Sequence, residues 1–360
     1  MAGRKGTRRV VVVVGTILAI AVAATVTAVA ALGGAHAQTG LFAYVANSND
    51  GTVTPVNLAT GHPGTPIKLG GNPAAIAISP DGTTAYVANG CGCGKVTPVN
   101  LATGHPGAPI KVGTGLLAIA ITRDGRTAYV VEPFQDAVIS VNLATGRPGA
   151  PIILDTTHPG LLPAEALNPD LIAITPDGKT AYVVDANRGA IFPINLATGR
   201  LGTPITFGYS TPVAIAITPD ARTAYVAAIG VPLSTVAPDS PGTVIPVNLA
   251  TGHPGTPIET GADPVAIAIS PDGRTAYVVD DGDSGTTTPV DLATGQPGTP
   301  IETGTDPQAI AITPDGTTAY VTDDGNGHGD GTVIPVNLAT GHPGTPIKVG
   351  ADPTAIVITR

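Results

Sequence analysis

"AAIAISPDGTTAYVANGCGCGKVTPVNLATGHPGAPIKV", residues 74–112, decides the fold. Four short apolar runs are separated by turn residues. "AAIAIS" alternates with period two, as a half-buried strand does. "SPDG" is a tight turn: Pro80 presets its φ, Asp81 bonds local backbone and Gly82 tolerates positive φ. "TAYVAN" is a second strand and "KVTPVNL" a third. "ATGHPG" is another turn, and "APIKV" a short fourth strand. Four antiparallel strands in about 42 residues describe one propeller blade.

The unit recurs along the chain. Asn/Asp-Leu-Ala-Thr-Gly begins at Asn57, Asn100, Asn142, Asn195, Asn248, Asp291 and Asn337, with spacings of 43, 42, 53, 53, 43 and 46. The first-strand motif also occurs seven times, at 74–79, 117–122, 170–175, 213–218, 265–270, 308–313 and 354–359. The two series are offset. The repeats open on a second strand, "FAYVAN" (42–47), and close on a first strand, "TAIVIT" (354–359). The last segment therefore completes the blade that the first one begins. Closure removes the unpaired faces that an open stack of sheets would expose. The expectation is an all-β, seven-bladed β-propeller over residues 38–360, four antiparallel strands per blade, and a monomer.

"YVAN" at 44–47 and 86–89, with "AIAISPDG" before it and "VNLATG" after it, resembles the YVTN-type β-propeller repeat family over nearly the whole chain beyond residue 37. The resemblance implies an exported protein, secreted or associated with a bacterial or archaeal surface layer, usually without an assigned activity. One departure is a proline in the third strand: Pro55, Pro98, Pro193, Pro246, Pro289 and Pro335. Proline cannot donate to a ladder, so each such strand is expected to lose one bond or to bulge.

Residues 1–37 read as an export leader. Arg4, Lys5, Arg8 and Arg9 form a basic head, Val10 to Leu32 an apolar run, and Ala35-His36-Ala37 a small-x-small cleavage pattern. The apolar run is also long enough to span a bilayer, so an uncleaved anchor over residues 10–32 is the alternative. Without the leader's four cations the chain holds 13 Lys+Arg against 26 Asp+Glu, a net charge of −13. That surface repels phosphate backbones and argues against nucleic acid as a partner. No second apolar span follows, so no membrane contact beyond the leader is expected. The two cysteines, Cys91 and Cys93, staple no framework.

Features repeated in every blade serve packing. The seven "AYV" tyrosines (Tyr44, Tyr86, Tyr129, Tyr182, Tyr225, Tyr277, Tyr320) are expected in the core or between blades, with their hydroxyls bonded. His62, His105, His253 and His342 fall in one turn, where other blades carry Arg147, Arg200 or Gln296. Copies a blade apart cannot converge on one metal, so these are solvated turn residues.

Function is expected in the variable connections, second-to-third and fourth-to-first, which share one face. Two are long and Pro-rich: 154–169 between blades three and four, and 229–243 in blade five. Two are acidic: "DDGDSG" (Asp280, Asp281, Asp283) and "DDGNGHGDG" (Asp323, Asp324, Asn326, Asp330). Asp/Asn-rich loops suit Ca²⁺ or another divalent cation. The second copies a calcium-loop spacing only in part, since His328 replaces an oxygen and Pro335 stands where a closing glutamate is needed. A solvated, Gly-rich connection is the other reading. For Cys91 and Cys93 three readings stand: a local disulfide, favoured by an oxidising compartment, a soft-metal thiolate pair, and free thiols.

No Gly-x-Ser-x-Gly elbow, His-Glu-x-x-His pair or phosphate loop is present. Glu132, His158, Glu165 and Asp185 are non-repeated polar groups on the variable face of blades three and four. The first functional expectation is a non-catalytic scaffold, needing no cofactor, that binds a protein or cell-wall polymer. The alternative rests on resemblance to propeller lactonases and lyases, which implies a divalent cation at the channel mouth with Asp280, Asp323, Glu132 and His158 as candidates.

Overall fold

The computed structural model describes residues 40–90, 92–154, 169–208, 210–230, 241–282, 285–325 and 329–359. The chain forms seven antiparallel sheets arranged as a β-propeller. Blade one is built from both ends of the repeat array. Phe42–Asn47 lies between Thr52–Asn57 and the last strand, Pro353–Ile358. Tyr44 pairs with Val357 and Ala46 with Ala355, and a bulge follows at Asn47. Phe42 N donates to Thr359 Oγ1 (2.9 Å) and Thr359 N to the Phe42 carbonyl (2.8 Å), which seals the join.

The first strand of every blade contacts the first strands of both neighbours, so these strands surround the central axis in an unbroken ring. Their Ala and Ile side chains are mostly buried, as are the valines of the second and third strands. The small Ala positions let adjacent blades approach, and the β-branched neighbours fill the space between sheets.

The repeated turns do what their residues require. In blade three, Asp124 Oδ1 accepts from Thr122 Oγ1 (2.6 Å) and Arg126 N (3.0 Å). In the "NLATG" turn, Asn100 Oδ1 accepts from Ala102 N and Thr103 N, both at 3.0 Å. Gly104 follows at φ 69°, a conformation that costs a side chain strain. The four turn histidines are exposed. The tyrosines act between blades: Tyr129 OH reaches the Leu196 carbonyl of the next blade (3.4 Å) and Tyr225 OH that of Leu292 (3.4 Å).

The strand prolines receive a structural account. The third strand stays continuous, and its pairing to the second strand is intact through Tyr44↔Pro55 and its equivalents. The missing N–H is felt on the other side. In the six blades with the proline, the fourth strand is split in two, such as His62–Pro63 and Ile67–Lys68. Between the pieces one bond remains, from Gly64 N to the Pro55 carbonyl (2.7 Å) and likewise in the other five. Blade three carries Ser140 at this position, and its fourth strand runs unbroken over Arg147–Ile153.

Residues 1–39 and most of both Pro-rich insertions lie outside the described residues, as do His158, Glu165, Asp283, Asn326, His328 and Cys91.

Candidate functional site

The last residue of the second strand is polar in six blades: Asn47, Asn89, Glu132, Asp185, Asp280 and Asp323. All are buried. In most of them the side chain turns back over a glycine of the fourth-to-first connection. A methyl on Gly261 would stand 2.6 Å from Asp280 Oδ2, and one on Gly350 2.7 Å from Asn47 Cγ. Glycine is required there because the carboxylate or amide occupies the space of a side chain.

These groups hold the connection. Asp323 Oδ1 accepts from Thr305 N and Asp306 N, both at 2.8 Å. Glu132 Oε1 accepts from Thr114 Oγ1 (2.5 Å), Thr114 N (3.2 Å) and Gly115 N (3.3 Å), while its Oε2 caps Gln135 N (2.7 Å). Asn47 Oδ1 accepts from Gly350 N (3.2 Å). Asp280 Oδ2 accepts from Thr288 Oγ1 (2.7 Å), and burial pushes this carboxyl up to about 7. Its Oδ1 is buried without a hydrogen-bond partner among the described residues, an environment that suits the neutral acid.

One residue further on, the chain meets the residue that precedes the first strand of the same blade. Asp281 N donates to the Asp263 carbonyl (2.9 Å), Asp324 N to Asp306 (3.0 Å) and Ser48 N to Asp352 (2.8 Å). These equivalent contacts in blades six, seven and one gather Asp263, Asp281, Asp306, Asp324 and Asp352 into an acidic arc. Asp324 Oδ1 crosses to the next blade and accepts from Asp352 N (2.9 Å). Burial pushes the Asp281 carboxyl up to about 8, and the charges of Asp306, Asp263 and Asp323 add to the shift. Asp306 is raised by burial and then by Asp324, and Asp352 by burial and then by Asp306. Asp330 is exposed, further out along its loop.

Blades three and four carry a different arrangement. Arg188 is 2% exposed. Its Nη1 and Nη2 grip Asp136 at 2.9 and 2.7 Å, and Nη1 also bonds Asp185 Oδ2. Arg188 N donates to Asp185 Oδ1 (3.0 Å), and the guanidinium lies 5.7 Å from the Phe192 ring centroid. Asp136 sits at φ 51°, just after the short 3₁₀ turn Pro133–Gln135. The ion triad therefore locks one blade's loop to the next.

Of the sequence candidates, Asp281 lies against Asp263 in blade six and Asp324 against Asp306 in blade seven. The structure turns Glu132, Asp185 and Asp323 onto neighbouring backbone or onto Arg188. Cys93 is half-buried, with its Sγ and Asn89 Oδ1 both beside Gly71. Among the described residues, no three His, Cys, Asp or Glu side chains converge as metal ligands, and no helix is long and apolar enough to cross a membrane. Sequence reading missed Asp263, Asp306 and Asp352. Their signal was Gly-x-Asp-Pro before three successive first strands. Arg188 and Asp136 carried no signal beyond standing outside the repeat.

No family model and no curated protein matches the chain. Among solved structures, it is similar to Kuenenia stuttgartiensis hydrazine synthase, at 20% identity and a TM-score of 0.66, covering 90% of this chain and 100% of that one. It is also similar to a functionally unknown protein from Desulfotomaculum acetoxidans, at 16% identity and a TM-score of 0.70, covering 89% and 99%. At these identities the likeness is one of fold.

Proposed function

We propose that this chain is an exported, non-catalytic β-propeller of the YVTN repeat type that binds a protein or cell-envelope polymer through its variable loop face. The observation that carries this reading is the separation of roles between the two faces. The repeated turns are near-copies locked by their own hydrogen bonds. The blade-specific residues described, namely the acidic arc and the Arg188 triad, lie on the opposite face. A rigid frame presenting variable loops is the common arrangement of a recognition surface. The arc gives that surface a negative sense, so binding weakens with added salt. The leader pattern of residues 1–37 supports export. Glu132, Asp185 and Asp323 are committed to backbone donors or to Arg188, which favours a scaffold over the lactonase or lyase reading.

The test is co-purification from culture medium and from the cell envelope, comparing the intact chain with one trimmed at 154–169 and 229–243. Loss of the partner on trimming supports the reading, and full retention overturns it. A thermal-shift series with Ca²⁺, Mg²⁺, Mn²⁺ and Zn²⁺ addresses the cation alternative. A specific site raises stability by about 2.7 kcal/mol at a hundredfold excess over Kd. On the scaffold reading, none of the four moves Tm.

A further inference from the structure

Four phenylalanines occur in the chain. Phe192 and Phe207 are buried and Phe42 is half-buried, but Phe134 is 76% exposed. Its backbone is nonetheless fixed. Phe134 stands in the 3₁₀ turn Pro133–Gln135, and both ends of that turn are pinned. Glu132 caps Gln135 N and also accepts from Thr114 N and Gly115 N. Asp136 N donates to the Pro133 carbonyl (3.0 Å), and the Asp136 carboxylate is gripped by Arg188. The ring lies against the seam between blades two and three: a methyl on Gly115 would stand 2.5 Å from Phe134 Cε2 and 2.7 Å from the Gly90 carbonyl oxygen. A turn held in this way presents an aromatic ring to solvent and avoids the ordering cost that a free loop incurs on binding.

Blade two brings charge to the same seam. Lys95 opens its third strand and pairs directly with Lys111 of the fourth, and both are exposed. In the other six blades this pair holds one charged residue or none, as in Thr52↔Lys68 and Ala137↔Ile153. Like charges directly opposite on a ladder repel, so blade two alone carries a cationic pair that a bound anion would relieve. The path from the lysines to Phe134 is short. Gly94, next to Lys95, accepts from Val112 N (2.8 Å) and Gly113 N (3.1 Å), and Thr114 and Gly115 follow. Gly90, Gly92, Gly94, Gly113 and Gly115 leave this stretch with few side chains. The two carboxylates that flank the turn, Glu132 and Asp136, are buried and already engaged. An open aromatic ring packs on the apolar C–H face of a sugar, and ammonium groups pair with carboxylate or phosphate. An extended chain can run from one to the other over the glycine backbone.

Resting on the reading of the variable face as a recognition surface, we propose that the blade two–blade three seam binds an acidic polysaccharide, with a sugar ring on Phe134 and its anionic groups on Lys95 and Lys111.

Isothermal titration of the whole chain at low salt tests this with two acidic probes, tetragalacturonate for carboxylate and a mannose-phosphate oligomer for phosphate. The methyl ester of tetragalacturonate is the neutral comparator, and oligoglutamate is an acidic chain without a sugar ring. Saturable binding of at least one acidic probe is expected, with both comparators weaker by about tenfold or more. Phe134→Ser removes an exposed ring and is expected to weaken the acidic probe about tenfold. Lys95→Thr installs the residue that blades one, six and seven carry at this position and is expected to weaken binding and to reduce its salt dependence. Circular dichroism confirms that both variants stay folded. Nuclear Overhauser contacts between sugar C–H groups and the Phe134 ring locate the ligand without mutation. The proposal is overturned if neither acidic probe binds saturably, if Phe134→Ser binds as well as wild type, or if the methyl ester binds as tightly as the acid. Equal binding of oligoglutamate also overturns it, in favour of an acidic protein segment. Any of these results, beside a partner that is lost on trimming 154–169 and 229–243, sinks this assignment alone and leaves the scaffold reading standing.

Discussion

Blades three and four, and blades six, seven and one, meet at corresponding seams and handle charge in opposite ways. At the first seam a buried guanidinium holds two carboxylates, Asp136 and Asp185. At the second, Asp263, Asp281, Asp306, Asp324 and Asp352 gather along neighbouring connections. The first seam gains specificity of docking, because the Arg188 fork fits only one relative position of the two loops. The second remains acidic, and burial together with neighbouring carboxylates raises Asp281, Asp306 and Asp352 above the ordinary carboxylate range. One scaffold position thus serves as a lock in one place and as a charge-sensitive surface in another. The scaffold tolerates both because the barrel of first strands, buried by repeated Ala and Ile, bears the fold independently.

The largest expected effect breaks the lock. Arg188→Met leaves two buried carboxylates without their cation and is expected to cost about 3–5 kcal/mol in urea unfolding. Replacing Arg188, Asp136 and Asp185 together with apolar residues of similar size is expected to recover most of that loss. A triple variant as unstable as the single one would show that the triad does more than neutralise its own charges.

The second effect sharpens the contrast at the acidic seam. Asp281 titrates near 8 and Asp280 near 7 in the folded chain, against an ordinary value of 3.8. Between about pH 4 and pH 8 the folded state therefore binds protons that the unfolded state has released. Stability is greatest at the acidic end, falls as pH rises through this window and levels off above it. Asp281→Asn is expected to flatten that fall, matching wild type near pH 4.5 and exceeding it by about 1–2 kcal/mol at pH 8.5. Thermal melts at the two pH values check this, and an unchanged slope would mean that Asp281 is not a proton holder.

The smallest effect tests the opposite face. There the turn aspartates, such as Asp124 and Asp272, are held below the usual carboxylate range by the hydroxyl two residues earlier and by backbone N–H groups. In the equivalent turn of blade five, Ala221 occupies the glycine position at φ 58°. Ala221→Gly is expected to stabilise by about 1 kcal/mol, a small rise in Tm. A fall would show that the turn tolerates a methyl without strain.

Much of this was legible in the chain itself, for a definite reason. Period-two alternation, Pro-Asp-Gly turns and the offset between "FAYVAN" and "TAIVIT" are local signals repeated seven times, so the sheets, the blade count and the closure could be read by counting. The acidic loops were legible as composition, but their partners were not. Asp263, Asp306 and Asp352 lie at least 17 residues from the carboxylates they face across each connection. Glu132 looked like a free polar group in the sequence, yet in three dimensions it is enclosed by the backbone of residues 114, 115 and 135.

The amino-acid order by itself determined the propeller, because each blade needs only neighbouring residues to pair and every blade repeats the same instruction. Which carboxylates meet and which ones find Arg188 were decided by the ring. Those contacts join residues of different blades or distant turns, and only closure of the ring sets the distances between them.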